Sequence, residues 1–452
     1  MTVPHRHTIG INRRELLQVG YSGLLGVGLS SLATAKGPGH TRKPKSLIIV
    51  FLTGAASHLE TWDPKPDAPD EIRGEYKSIQ TKTPGLLACE HFPRLAARSD
   101  RFAIVRSLSH RENNHLVATH HVLTGQKQPG AFFDKIASRD DFPNYAAGRA
   151  YFINPPEGTP VGINLPTYLQ EGPLLWPGQY AGFLGPKYDI MQVTSDPNRP
   201  NFKIENLRPA GGMEVDQLKD RMALLSAVNQ QQKWLTESAE TKKLTDQQQQ
   251  ALAVLTSGKV AKAFEIDREP AAIRDKYGRH AFGQSILLAR RLVEAGVPVV
   301  QANMGRVQNW DNHSDLFKRM KKDLLPPVDV GVSALLDDLA DRGMLEDTMV
   351  MMLGEFGRSP KIDKKAAGRD HWAPCFSGLF AGAGVRPRQV IGKSDKSGAY
   401  PSTTPYSPDD IGATVYTVLG IDPHAEVRDR LNRPVQLNRG NVIQPLFDGR
   451  GE

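Results

Sequence analysis

Residues 330–356, VGVSALLDDLADRGMLEDTMVMMLGEF, decide the fold class. Val332, Leu335, Leu336 and Leu339 recur three and four apart, the spacing of one helix face, and Gly343 stops the helix. The apolar run inside 347–356 then reads as a buried strand. The same device stands upstream. QSILLARRLVEAG (284–296) is an amphipathic helix with Phe282, Ile286, Ala289 and Val293 on one stripe, Gly296 as its stop, and VPVVQANM (297–304) as the returning strand. Two earlier apolar runs, 47–52 and 101–108, complete the pattern. Alternating strands and helices predict an α/β fold, a three-layer αβα sandwich with a mostly parallel central sheet.

The 452 residues suffice for one large domain with a sizeable core. The net charge of +8 is uneven: residues 1–45 carry seven basic side chains against Glu15, which is +6, and leave +2 for the rest. Without basic and aromatic residues interleaved, nothing tracks a nucleic-acid backbone, so nucleic acid is not an expected partner. The N-terminal charge has its own explanation. The pair Arg13-Arg14, a glycine-diluted apolar stretch from Leu16 to Leu32, and Ala33-Thr34-Ala35 have the layout of a twin-arginine export signal. The expected organisation is a signal at 1–35, a basic linker at 36–45, and one α/β domain at 46–448. A Pro-, Gly- and Tyr-rich irregular insertion falls at about 130–210. The export machinery is then a partner, the membrane is met only through the signal, and the site of action is periplasmic or extracellular. Cys89 and Cys375 allow one bridge or two buried free thiols.

Ligand sites in parallel sheets gather beyond the carboxyl ends of the strands. Those loops hold Ser57-His58; His110, Asn113, Asn114, His115, His120 and His121; Asp311, His313 and Asp315; and Glu355, Arg358, Asp370 and His371. Of ten histidines outside the signal region, seven fall there, which scattered surface residues would not do. Imidazole with carboxylate suits a divalent metal: zinc first, with manganese, iron or calcium as alternatives. The expected ligands are Asp311, His313, Glu355, Asp370, His371 and His58. Arg358, Lys361 and Arg369 are expected to hold an anion.

The segments SHLETWDPKPDAPDEIRGEY, HRENNHLVATHHVLTG, NWDNHSD, LGEFGRSPKI, GRDHW and DIGATVYTVLGID appear in an order that resembles domain-of-unknown-function family 1501. These are exported bacterial proteins of the alkaline phosphatase-like, or sulfatase-like, superfamily. The resemblance implies an alkaline phosphatase-like fold and a two-metal centre hydrolysing phosphate or sulfate esters. By position, Asp311 and His313 match the first ligand pair, Glu355 matches the Asp of a strand-end Asp-His pair, and His371 matches the late His. Phe356 stands where the second pair has its His. Ser57-His58 replaces the acid after the first strand. The nucleophile position falls on Asn114 or His115, neither an alcohol, and the sulfatase Cys/Ser-x-Pro-x-Arg signature is absent. The expected function is therefore a metal-dependent hydrolase of phosphate, sulfate or related esters with a His-rich centre. Its substrate would be an anionic small molecule or polysaccharide ester. The alternative is a non-catalytic binding protein on the same fold, docking polysaccharide through Trp176, Tyr180 and Tyr188.

Overall fold

The computed structural model of the chain describes residues 45–130, 135–200, 202 and 258–449. The expected export signal and nearly all of the linker lie outside the described residues, as do residues 203–257.

Strand β1 (Ser46–Phe51) shows what the sheet demands of its covering layers. Successive side chains of a strand leave on opposite faces. Ile48 and Val50 enter one apolar cluster, and Leu47, Ile49 and Phe51 enter another. A strand buried on both faces requires helices on both. Further strands are β2 (Ala103–Leu108), β3 (Ile163–Leu165), β4 (Met191–Gln192), β5 (Val299–Asn303), β6 (Thr348–Leu353), β7 (Phe376–Ala381) and β8 (Gln389–Ile391). With β1 they form one eight-stranded sheet in the order β8-β2-β7-β6-β1-β5-β3-β4. All are parallel to their neighbours except β7, which runs antiparallel to both β6 and β2. Register is continuous through the centre, where Ile49 of β1 lies opposite Met351 and Gln301.

Helices α1 (His115–Thr124), α2 (Tyr145–Phe152) and, late in the chain, α5 (Pro408–Val418) supply apolar residues to one cluster: Leu116, Val122, Tyr145, Ala150, Ile411 and Val415. Helices α3 (Ala281–Glu294) and α4 (Leu325–Asp341) supply the other through Ile286, Ala289, Leu292, Val332, Leu335 and Leu339. The fold is the three-layer α/β sandwich. The stretch 130–210, expected as an irregular insertion, gives the sheet β3 and β4 and the second layer α2. Cys89 and Cys375 are free and buried, and burial pushes each thiol up to about 12. Among the described residues no helix is long and apolar enough to cross a membrane.

One charge sits inside this packing. The Arg290 guanidinium on α3 is buried and meets Glu269 at 2.8 Å and Asp338 of α4 at 2.9 Å, both also buried. Glu269 also pairs with Arg291 at 2.5 Å and Asp338 with Arg342 at 2.7 Å, so loss of Arg290 takes one partner from each carboxylate and not the last, at a cost of roughly 1–3 kcal/mol. Arg290→Met is therefore expected to lower unfolding stability by about that amount, read as a shift of the urea midpoint.

Candidate metal centre

Because β1, β2, β5 and β6 are parallel, their carboxyl ends share one rim. The antiparallel β7 starts at that rim, so the chain from β6 to β7, residues 354–375, stays beside it. Within this connection Gly357–Arg358 pairs with His371–Trp372 as a two-residue ladder, which returns His371 to the end of β6. After β2, the Asn114 side chain accepts from the Leu116 and Val117 amides at 3.0 and 3.3 Å. That N-cap fixes His115 as the first residue of α1.

The loop after β5, carrying Asp311 and His313, is pinned on two sides by glycines. A Cβ on Gly54, whose φ is +99°, would stand 2.7 Å from the Gln308 Cα and 2.8 Å from the Asp311 nitrogen. A Cβ on Gly368 would lie 1.9 Å from the His313 carbonyl oxygen. Only glycine allows these backbones to approach so closely.

Three imidazoles meet there, each with an oxygen behind its Nδ1. His115 Nδ1 donates to Glu355 Oε1 at 2.6 Å, His371 Nδ1 to the Asn113 carbonyl at 2.7 Å, and His313 Nδ1 to Asp370 Oδ1 at 3.0 Å. A proton on Nδ1 means that the neutral form of each ring, the form that binds a metal, turns its Nε2 lone pair inward. All three Nε2 atoms point at Asp311. Its Oδ1 is 3.0 Å from His313 Nε2 and 3.2 Å from His371 Nε2, and its Oδ2 is 3.3 Å from His115 Nε2. His313 Nε2 and His371 Nε2 are 3.0 Å apart. Donor atoms of His115, Asp311 and His371 all lie within 4.8 Å of one another, close enough to share a metal ion. His115 Nε2 is buried without a hydrogen-bond partner, which is what a ligand atom looks like before its ion arrives. His115 is buried, Asp311 and His371 are partly covered, and His313 is exposed, so the cluster opens to solvent on one side.

The electrostatics follow from this crowding. Burial opposes charge on His115, but the carboxylates of Asp311 and Glu355 prevail and raise the ring to about 9. Burial also works to raise the Asp311 carboxyl, yet the His115 and His371 imidazoles and the Arg358 guanidinium hold it well below the usual carboxylate range.

Of the residues singled out from sequence, Asp311, His313, His371 and His115 come together. The others stand elsewhere. Glu355 is fully buried behind His115, and its carboxylate also accepts from the Gly54 and Ala55 amides. Asp370 backs His313 from the exposed side. Arg358 and Arg369, expected to face an anion, are fully buried. Arg358 donates to the Gly54 and Ala55 carbonyls and pairs with Asp311; Arg369 pairs with Glu60 and donates to the Ile72 carbonyl. Lys361 is exposed. His58 donates through Nε2 to the Gly398 carbonyl at 2.8 Å, and burial lowers its pKa, so it belongs to the packing under that loop. Asn114, expected at the reacting centre, is occupied as the cap of α1. His110 and His120 are buried and neutral, each lowered to about 3 chiefly by burial. Three residues named from sequence take part in roles that it did not assign. The Asn113 carbonyl carries no side-chain signal at all. Phe356 and Trp176 both stack on the His115 ring, with centroids at 4.9 and 5.6 Å.

The fold and this cluster define an α/β protein with an imidazole–carboxylate centre, able to hold a metal, at the carboxyl rim of its sheet. The chain belongs to the family described as Protein of unknown function (DUF1501), whose model matches residues 44–447. No curated protein matches it. Among solved structures it is similar to an alkaline phosphatase superfamily protein from Vibrio parahaemolyticus, at 11% identity and a TM-score of 0.38, covering 85% of this chain and 68% of that one. A phosphonate monoester hydrolase from Silicibacter pomeroyi gives 12%, 0.34, and 91% against 78%. A sulfatase from Pseudoalteromonas sp. gives 14%, 0.37, and 91% against 72%. Likenesses this distant say nothing about activity.

The raised His115 has a consequence for the metal-free protein. A histidine held above its ordinary 6.5 stabilises the fold fully below that pH, and the contribution is lost as pH rises through about 9. The loss is of the order of 3 kcal/mol. In EDTA the melting temperature is therefore expected to fall between these two pH values. His115→Phe, which fills the same slot with a ring that does not titrate, is expected to flatten that slope.

Proposed function

We propose that the chain is a metal-dependent hydrolase of phosphate, sulfate or related esters acting outside the cytoplasm. One divalent cation would be held by His115, His313, His371 and Asp311. The observation that carries this reading is the convergence of three inward Nε2 atoms on one carboxylate. A cation at their focus would take the place of the protons that otherwise offset the Asp311 carboxylate and would turn the three neutral lone pairs into ligands. The three-nitrogen, one-carboxylate set favours zinc; manganese and iron follow, and calcium, which prefers oxygen shells, is the weakest fit. When bound, the metal supplies a Lewis acid that polarises an ester oxygen and acidifies water.

The chain's own residues narrow the chemistry further. At the start of α1 there is no hydroxyl to act as nucleophile, and the Asn114 side chain is engaged in its cap. His115 is held by Glu355 through Nδ1 and turned toward Asp311 through Nε2, so in this reading it is a ligand and not a phosphoryl acceptor. Hydrolysis is then direct, with water as the attacking group. The partly exposed His313 and His371 leave the centre open to a substrate. The basic N-terminus with its paired arginines supports action after export. Of the three aromatic residues of the polysaccharide-docking alternative, Trp176 is fully buried against His115, while Tyr180 and Tyr188 are half-buried.

The purified chain is expected to carry about one equivalent of zinc or a related transition metal by elemental analysis. It is expected to hydrolyse at least one member of a panel of phosphate, sulfate and phosphonate esters. Chelation should abolish that activity and zinc restore it. His371→Ala and Asp311→Asn should each lower activity by more than about 100-fold, since losing even outer partners of a metal ligand costs 10–100-fold. A chain that hydrolyses equally well after chelation, or that takes up no metal, sinks the reading.

A further inference from the structure

The structure assigns Glu355 as a positioning residue: its carboxylate, without touching the metal, fixes the proton of His115 on Nδ1 and so keeps the Nε2 lone pair facing the centre. This rests on the metal reading above but concerns a residue that the resemblance places among the ligands.

The argument is one of donors and acceptors. Three N–H groups converge on the Glu355 side chain. The Gly54 amide lies 3.0 and 3.2 Å from Oε1 and Oε2, the Ala55 amide 3.0 Å from Oε2, and His115 Nδ1 2.6 Å from Oε1. The side chain is fully buried. A carboxylate only accepts, so it satisfies all three donors at once. Its main chain is fixed as well: His110 Nε2 donates to the Glu355 carbonyl at 2.7 Å, and the Glu112 amide donates to His110 Nδ1 at 3.1 Å. Nor can the His115 ring evade its partner. Phe356 and Trp176 both stack on it, at interplanar angles of 30° and 21°. With the plane held, what remains free is which nitrogen carries the proton, and the group behind Nδ1 decides that.

Glu355→Gln isolates this role. An amide of nearly the same shape has one acceptor oxygen and a donor nitrogen, so one of the three N–H groups must face another N–H. The two backbone amides cannot change. The imidazole can, by moving its proton to Nε2 and accepting at Nδ1. The turn after β1 keeps its hydrogen bonds, and the metal loses a ligand atom.

The test is a double-mutant cycle on zinc affinity, measured by competition with a chromophoric chelator. The proteins are the wild type, Glu355→Gln, His115→Phe and the double variant. His115→Phe keeps a ring against Phe356 and Trp176 and removes both nitrogens. Glu355→Gln is expected to weaken zinc binding about 10–100-fold alone, and to add nothing in the His115→Phe background. Nitrogen-15 spectra of the zinc-free proteins above about pH 9, where the His115 ring is neutral, assigned by the peak missing in His115→Phe, should show His115 with Nδ1–H in the wild type and Nε2–H in Glu355→Gln. Equal losses in both backgrounds, an unchanged affinity in Glu355→Gln, or an unmoved proton would overturn the inference while leaving the metal centre standing. A wild-type chain that binds no zinc overturns both.

Discussion

A carboxylate removed from water must find donors within the protein or cost several kcal/mol. Glu355 finds them in the turn after β1 and in the first residue of α1. That one set of hydrogen bonds joins β6, which ends just before Glu355, to β1 beside it in the sheet and to the helix after β2. Strand ends that are merely neighbours in a parallel sheet leave their loops free to diverge. Here a single side chain ties three of them, and the orientation of His115 follows from the tie.

The fourth element, the loop after β5, is held by contact with the first turn. The Gly54 backbone lies against Gln308 and the amide of Asp311, and Arg358 bridges the Gly54 and Ala55 carbonyls to the Asp311 carboxylate. Arg358 thus compensates two carbonyls and a charge that the rim would otherwise bury unpaired. The ladder 357–358 with 371–372 then places His371 over the same carboxylate. Reversal of β7 makes this possible: a strand that enters the sheet at the rim delivers the residues before it to the rim, whereas a parallel strand would have carried the chain to the far edge first.

Strands β1, β2, β5 and β6 were legible because each is a near-continuous apolar run, which burial on both faces requires, and α3 and α4 because they present clear apolar stripes. Strand β7 was not legible, because Ser377 and Gly378 interrupt its run, nor was β8, because three residues show no period. The short β3 and β4 were not, since strands of three and two residues inside a Pro- and Gly-rich stretch leave no periodicity to read. Asp311, His313 and His371 were legible as a group because imidazoles and acids gather at strand ends. The roles of Glu355, Asp370, Arg358 and Arg369 were not, because sequence shows which charges are near the rim but not which face inward. Arg358 and Arg369 resemble anion-binding residues on paper, and both are consumed by buried backbone carbonyls and carboxylates. Asn114 carried a usable signal, an Asn just before an apolar helical run, and capping was the more economical reading of it.

The charges of the assembled rim also bear on how many ions it would take in the proposed reading. Asp311, Glu355 and Asp370 each touch one or more of the imidazoles, and Arg358 is the guanidinium paired with Asp311. Three carboxylates and one guanidinium leave a formal charge of −2, which one divalent cation balances and two would reverse. Geometry points the same way. Phe356 occupies the position where a second strand-end ligand would be expected, and its ring packs on His115 and His371 at 4.9 Å from each. Glu355 has no oxygen left facing the cluster unpaired, and Asp370 lies on the exposed side of His313. A second ion would therefore have to strip hydrogen bonds from groups that already use them, at a cost of about 1–3 kcal/mol for each buried donor orphaned. The departures from a two-metal pattern are not losses scattered through the site. In the proposed reading they replace one set of ligands by the supports that orient the other.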